Sequence, residues 1–223
     1  MRYALLFVLL AAGAVAGAPV DSAALVEYKL PEEFSAGSAT CVACENGKSL
    51  MLTAAHVVPD AKGELTVTLS GKKFKAKYLT GSPVKELVLP DGKVIEVVDG
   101  VDLALLVVDD KLPPVAIAKE PAKKGDVVHQ FGYAGGPPFA ADGPHFKQGK
   151  VTKPDALWSS ADARRGDSGC ALLNAKGELV GVVHSRSANN DEPGGLCTPL
   201  AEVKKFLAEK AAGFPKLQKE MKK

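Results

Sequence analysis

Between residues 40 and 198 the chain is cut into about a dozen short apolar runs, each closed by turn residues. A chain divided this way has no room there for a helix of several turns, so its apolar side chains are buried by pairing strands. Runs at 40–43 and 49–58 flank Asn46-Gly47, a dipeptide that favours a tight hairpin because both residues tolerate positive φ. Runs at 65–70 and 74–79 flank Gly71, those at 87–89 and 93–98 flank Asp91-Gly92, and one at 103–108 follows. After a proline-bearing stretch at 112–121 come runs at 127–133, 146–151, 156–160, 171–173, 179–185 and 196–198. The fold class is therefore all-β, a barrel or a sandwich, with about six runs on each side of the proline-bearing stretch. One helical pattern stands at the end. Leu200, Val203, Phe206 and Leu207 recur at helical spacing across 199–212, and Gly213 and Pro215 stop the helix.

Three strings place polar reactive side chains beside these runs. They are Thr53-Ala54-Ala55-His56, Asp102-Leu103-Ala104-Leu105-Leu106 and Gly166-Asp167-Ser168-Gly169. A serine hydroxyl is a poor nucleophile until a neutral imidazole takes its proton, and a buried carboxylate holds that imidazole in the required tautomer. His56 is set apart from His129, His145 and His184 by the strand-like Leu50-Met51-Leu52 that leads into it. Asp102 is preferred to Asp99, Asp109 and Asp110 because it begins an apolar run that buries it beside the core. A G-x-S-x-G elbow does not fit, since Cys170 occupies the place of its last glycine.

With these strings in this order, the chain resembles the chymotrypsin-like serine peptidases, and Asp-Leu-Ala-Leu-Leu is similar to the bacterial branch that includes the HtrA-type proteases. The resemblance runs over roughly residues 36–208. It implies two six-stranded antiparallel β-barrels with the active site between them, closed by the C-terminal helix. The expected division is barrel one at 36–111, barrel two at 122–198 and the closing helix at 199–212, within a peptidase domain at 36–213 that leaves no room for a PDZ or other accessory domain. It also implies catalytic roles for His56, Asp102 and Ser168, and an oxyanion hole made of the backbone amides of Gly166 and Ser168. The implied substrate is a polypeptide, and no cofactor is required. Two further functions fit parts of the pattern: a catalytically weak binding module on the peptidase fold, and a hydrolase of small esters. Labelling of Ser168 by an organophosphonate separates the first from a working enzyme.

The same resemblance bears on specificity. Asp162, six residues before Ser168, aligns with the acidic residue at the base of the trypsin-type pocket, which would favour Lys or Arg in the substrate. Arg186 aligns with a pocket wall that is commonly glycine. If it pairs with Asp162, the pocket is shallow and takes small residues, and this is the preferred expectation. Gly195 aligns with the opposite wall, and His184 lies on the strand that lines the cleft, either contacting substrate or Asp102 or filling the wall. No Ile-Val-Gly-Gly segment follows a basic cleavage site near the N-terminus. In family zymogens the amino group freed at such a site pairs with the aspartate before the serine, so Asp167 needs another partner.

The chain has 223 residues, 46% of them hydrophobic and 24% charged, an ordinary globular composition. The net charge of +2 is too near neutral to point to nucleic acid. Residues 1–16 combine a basic start, an apolar run and Ala14-Val15-Ala16, the pattern of a secretory leader. The expectation is export to the periplasm or medium, with Gly17 as the new N-terminus and no membrane association in the mature form. Residues 17–35 read as an N-terminal extension, and 214–223, with Lys216, Lys219, Lys222 and Lys223, as a solvated basic tail. Four cysteines, Cys41, Cys44, Cys170 and Cys197, permit three complete pairings, among which the sequence does not choose. Cys41-Val42-Ala43-Cys44 lacks the second pair or histidines that a zinc site needs, so no metal is expected. Val57, Ala163 and Arg164 stand where the family commonly has cysteines, so the disulfide pattern of the digestive enzymes does not apply.

Overall fold

The computed structural model describes residues 19–31, 34–60, 62–90, 94–98, 100–135, 143–155, 157–186 and 194–223. The leader at 1–16 and its cleavage site lie outside them, as do Asp99 and most of the Asp91-Gly92 turn. Fourteen strands and two helices follow in order: β1 (Ala23–Lys29), β2 (Phe34–Glu45), β3 (Lys48–Thr53), β4 (Glu64–Leu69), β5 (Lys72–Gly81), β6 (Val84–Val88), β7 (Val94–Val98), β8 (Ala104–Val108), β9 (Val127–Gly132), β10 (His145–Lys153), β11 (Trp158–Ser159), β12 (Ala171–Asn174), β13 (Leu179–Arg186), β14 (Gly195–Pro199), α1 (Leu200–Lys210) and α2 (Pro215–Met221).

Twelve of the strands close into two six-stranded barrels, ordered β1-β2-β3-β8-β5-β4 and β10-β11-β14-β13-β12-β9. Every ladder is antiparallel, so this is the double barrel that the family resemblance implies. Closure leaves neither sheet a free edge, which removes the main aggregation hazard of a chain so rich in strands. The expected hairpins form where the turn chemistry demands. Asn46 and Gly47 take φ of 52° and 78°, and Ser70 and Gly71 take 49° and 77°, the paired left-handed conformations of tight two-residue turns. The 112–121 stretch is stitched between the barrels, with Val115 N–H on the Cys41 carbonyl and Ala118 N–H on the Leu179 carbonyl.

Three boundaries differ from the sequence expectation. The 17–35 segment is not an extension: β1 pairs with both β2 and β4 and completes barrel one, which therefore begins at Ala23 rather than 36. Ala23 to Val26 are buried in succession, because β1 also meets β9 of the other barrel. A strand buried on both faces shows no period-two alternation. The runs at 87–89 and 93–98 form a two-stranded arm, β6–β7, outside either barrel. Lastly, 214–223 is not a frayed tail. Phe214 and Leu217 are buried and Met221 packs against the same core, while the Glu45 carboxylate of β2 accepts the N–H groups of Lys216 and Leu217 at 3.2 and 2.9 Å. The apolar spacing of 214, 217 and 221 is hidden among lysines that face outward.

All four cysteines are free thiols. Cys170 packs in the core instead of bridging to Cys197 or Cys41. Burial pushes the Cys41 thiol up to about 12 and raises Cys170 and Cys197 as well, so these three are held in the inert protonated form.

Candidate active site

His56 sits in a 3-10 turn, Ala55–Val57, directly after β3, anchored by the buried side chains of Ala54, Ala55 and Val57. Asp102 immediately precedes Leu103 and β8, the strand paired with β3, so adjacent strands deliver both groups to one end of barrel one. Their contact is double. The His56 backbone N–H donates to Asp102 Oδ1 at 3.0 Å, and Nδ1–H donates to Oδ2 at 2.5 Å. A carboxylate accepts only, so Nδ1 carries a proton, and in the neutral imidazole the lone pair is on Nε2. Burial works to raise the Asp102 carboxyl, but the hydrogen bonds and charge of His56 outweigh it and hold the group below its ordinary value.

Ser168 lies on the loop between β11 and β12 of the second barrel, bolted to barrel one by Ser38 of β2. Ser38 N–H donates to the Ser168 carbonyl at 2.7 Å and Ser38 Oγ donates to the Gly166 carbonyl at 2.7 Å, while the Ser38 carbonyl accepts from Thr53 Oγ1 at 2.7 Å. Gly169 has φ +90°, and a Cβ there would collide with Ser38 O and Thr53 Oγ1, so no larger residue fits this crossing. The Ser168 hydroxyl donates to the His184 carbonyl at 3.5 Å, a long contact, and makes no hydrogen bond to His56 among the described residues.

The loop amides fall into two sets. Asp167 N–H is bonded to Arg164 O at 3.0 Å, Gly169 N–H to Val183 O at 2.7 Å and Cys170 N–H to Asp167 O at 2.9 Å. Gly166 and Ser168 N–H donate to no acceptor among the described residues. Gly135 N–H holds the Arg165 carbonyl at 2.6 Å. In a planar trans peptide this turns the Gly166 N–H to the opposite side. Gly166 is buried and Ser168 partly so, and backbone donors without partners are uncommon inside a protein, so these two alternating amides are left available to an acceptor.

Two cavities flank Ser168 and His56. One, of about 650 Å³, is lined by His56, Asp102, His184 and the edge of β14. The other, of about 510 Å³, is lined by Ser168, Ala163, Val183 and His184 and by three arginines, Arg164, Arg165 and Arg186. His184 borders both, and burial, aided by His56 and opposed by Asp102, holds its imidazole below its ordinary value. Gly195 is not among the residues that line the second cavity; a Cβ there would approach Ala163 Cβ, which is, to 2.9 Å.

The structure does not bring Asp162 into this cavity. Ala161 and Ala163 are buried on either side of it, while the Asp162 side chain faces outward, 53% exposed. Its partner is Arg164, Nε to Oδ2 at 2.8 Å, and not Arg186 as the sequence suggested; the Arg165 and Arg186 guanidiniums have no ion-pair partner among the described residues. Two residues that the sequence reading passed over also belong to the site. Ser38 gave no signal, being one serine in a strand. Lys147 of β10 pairs through Nζ with Asp167 Oδ2. It shares a strand face with Gly149 and the buried Val151, and a lysine on the inward face of a strand was the available clue.

Comparison with known proteins returns one family from each direction. The model of the trypsin-like peptidase domain matches residues 37–182. Serine protease Rv3671c of Mycobacterium tuberculosis H37Rv is 30% identical over 178 residues, covering 74% of this chain and 40% of the relative. The chain thus spans about two-fifths of the length of the curated relatives it matches. Among solved structures, the active form of the Rv3671c protease superposes with a TM-score of 0.67 at 25% identity, covering 89% of this chain and 85% of that one. The serine endoprotease of Yersinia pestis gives 0.69 at 22% identity, covering 89% and 66%, a likeness of fold alone.

Proposed function

This chain belongs to the trypsin-like peptidase family, and from that premise we propose that it is a serine endopeptidase working through Ser168, His56 and Asp102 by way of an acyl-enzyme. The supporting observation is an imidazole whose Nδ1 is bonded to Asp102, on a cavity that shares His184 with the cavity of Ser168, together with the unbonded amides of Gly166 and Ser168 on the serine's own loop. Rotation of the serine about its Cα–Cβ bond exchanges the long His184 contact for Nε2. Oγ then attacks the peptide carbonyl carbon while Nε2 takes its proton, and the Gly166 and Ser168 N–H groups receive the charge that develops on the carbonyl oxygen. Nε2–H next protonates the departing amine. Water, deprotonated by the same imidazole, hydrolyses the acyl-enzyme and regenerates the serine. Asp102 stays ionised throughout, since its carboxyl is held below its ordinary value.

The side chain selected is an acidic one. Among the described residues, the cavity beside Ser168 carries Arg164, Arg165 and Arg186 and no carboxylate in its lining, while Asp162 points away from it. This replaces the small-residue preference that a pairing of Arg186 with Asp162 would have produced. Cleavage of a peptide library is expected to show Glu or Asp before the scissile bond, with Arg186→Ala lowering kcat/KM on such substrates by about tenfold, and the preference weakening as salt rises. Efficient cutting only after Lys or Arg would overturn this assignment.

Export is part of the same proposal. Residues 1–16 carry the leader pattern, and N-terminal sequencing of the exported protein is expected to read from Gly17. A soluble cytoplasmic product retaining Met1 would contradict it.

A further inference from the structure

We infer that Lys147 is a positioning residue that sets the oxyanion loop by pairing, from within the folded chain, with the buried carboxylate of Asp167. The assignment rests on the peptidase proposal for its catalytic consequence, and on geometry for the rest. The Asp167 side chain is fully buried, and Lys147, on the strand register opposite Gln130, is itself only 15% exposed. Lys147 Nζ contacts Asp167 Oδ2, and that same oxygen accepts the Arg164 backbone N–H at 2.7 Å. Asp167 Oδ1 has no hydrogen-bond partner among the described residues, and Gly132 leaves it room that a Cβ would fill. Among the described residues, then, the ammonium of Lys147 is the one charge that offsets this carboxylate. A buried carboxylate deprived of its cation is strongly disfavoured, so it must take up a proton or leave its seat.

Leaving has a specific consequence because of where Asp167 stands. It lies between the two free donors, Gly166 N–H and Ser168 N–H. Its carboxylate accepts from Arg164 N–H while its own N–H donates to the Arg164 carbonyl, so one side chain closes the whole 164–167 turn. Gly166 holds φ of +96° inside that turn. Releasing the carboxylate opens the turn and turns both donors away from the position of the carbonyl oxygen, while the His56–Asp102 pair on the other barrel is untouched.

The test uses the full mature protein and three variants: Lys147→Met, Lys147→Arg and the double variant Lys147→Met/Asp167→Asn, which removes the buried charge along with its partner and preserves the fold should the first variant lose it. Lys147→Met is expected to lower kcat by about 10²- to 10³-fold, the scale of a lost oxyanion donor, with KM nearly unchanged. Its amide hydrogen exchange is expected to rise at Asp167, Gly169 and Cys170 and to stay as in the wild type across the barrels. The double variant is expected to fold normally and stay slow, because methionine does not hold the carboxamide in place, and Lys147→Arg to remain within about tenfold of wild-type kcat. A folded Lys147→Met with wild-type kcat and wild-type exchange in the loop overturns the inference. So does a Lys147→Arg as slow as Lys147→Met, a double variant of wild-type kcat, or a rise in exchange spread evenly through both barrels. If the wild type itself neither cleaves peptides nor reacts with a phosphonate probe, the peptidase proposal fails, and the exchange at Asp167, Gly169 and Cys170 still decides the structural role of Lys147.

Discussion

Ser168→Ala is expected to lower kcat for peptide hydrolysis by roughly 10⁶-fold, the scale on which removal of a triad serine acts elsewhere. The side chain contributes chemistry and little packing: Ser168 is only partly buried and its hydroxyl makes one long contact, 3.5 Å to the His184 carbonyl. The loop is held instead by backbone bonds, Ser168 O from Ser38 N–H and Gly169 N–H to Val183 O, none of which passes through the hydroxyl. Thermal and denaturant unfolding should therefore change by no more than about 0.5 kcal/mol. Turnover by the purified variant within tenfold of wild type would show that Ser168 is not the nucleophile. A variant that is both inactive and unfolded would show that the hydroxyl had been holding the loop.

The residues proposed to carry chemistry were legible because each sits in a local signature. Thr53-Ala54-Ala55-His56 reads as the end of a strand-like run with one reactive side chain, and the structure places Ala54 and Ala55 in the core with the imidazole on a cavity. Asp102 was chosen over Asp109 and Asp110 because it opens an apolar run. The structure puts the latter two on the surface, paired with Lys77 and Lys72. The six runs of the second half correspond one to one with β9–β14, since in that barrel nearly every strand is bounded by glycine, proline or a charged turn.

What failed was whatever depends on the direction of a side chain or on contacts between distant segments. Asp162 was assigned to a pocket from its offset to Ser168, but between buried Ala161 and Ala163 its side chain faces solvent, and an offset carries no information about that sense. β1 was missed because burial against β9 erased its alternation. The missing partner of Asp167 was anticipated as a need and not as a residue, since Lys147 lies 20 positions away and meets it only through the closure of barrel two. Phe214, Leu217 and Met221 were obscured by the lysines between them, an amphipathic turn too short for periodicity to stand out.

Asp102→Asn is expected to lower kcat by roughly 10⁴-fold while leaving the turn at His56 in place, and the geometry explains both halves. The His56 backbone N–H donates to Oδ1 at 3.0 Å, so in the variant it selects the amide oxygen for that position. The amide NH₂ is then directed at Nδ1, where Oδ2 now stands at 2.5 Å. A donor there requires Nδ1 to accept, which places the ring proton on Nε2, the nitrogen that must take the serine proton. The stability profile separates this from a general loss of structure. The Asp102 carboxyl is held below its unfolded value of about 3.9. Its ionised form therefore adds stability that is present above that pH and is lost as pH falls through the lower folded value. Asp102→Asn has no such group, so unfolding measured in denaturant from neutral to acid pH should fall less steeply in the variant below about pH 4. A variant with kcat within tenfold of wild type would remove Asp102 from the mechanism, and an acid limb as steep as that of the wild type would show that its ionisation does not support the fold.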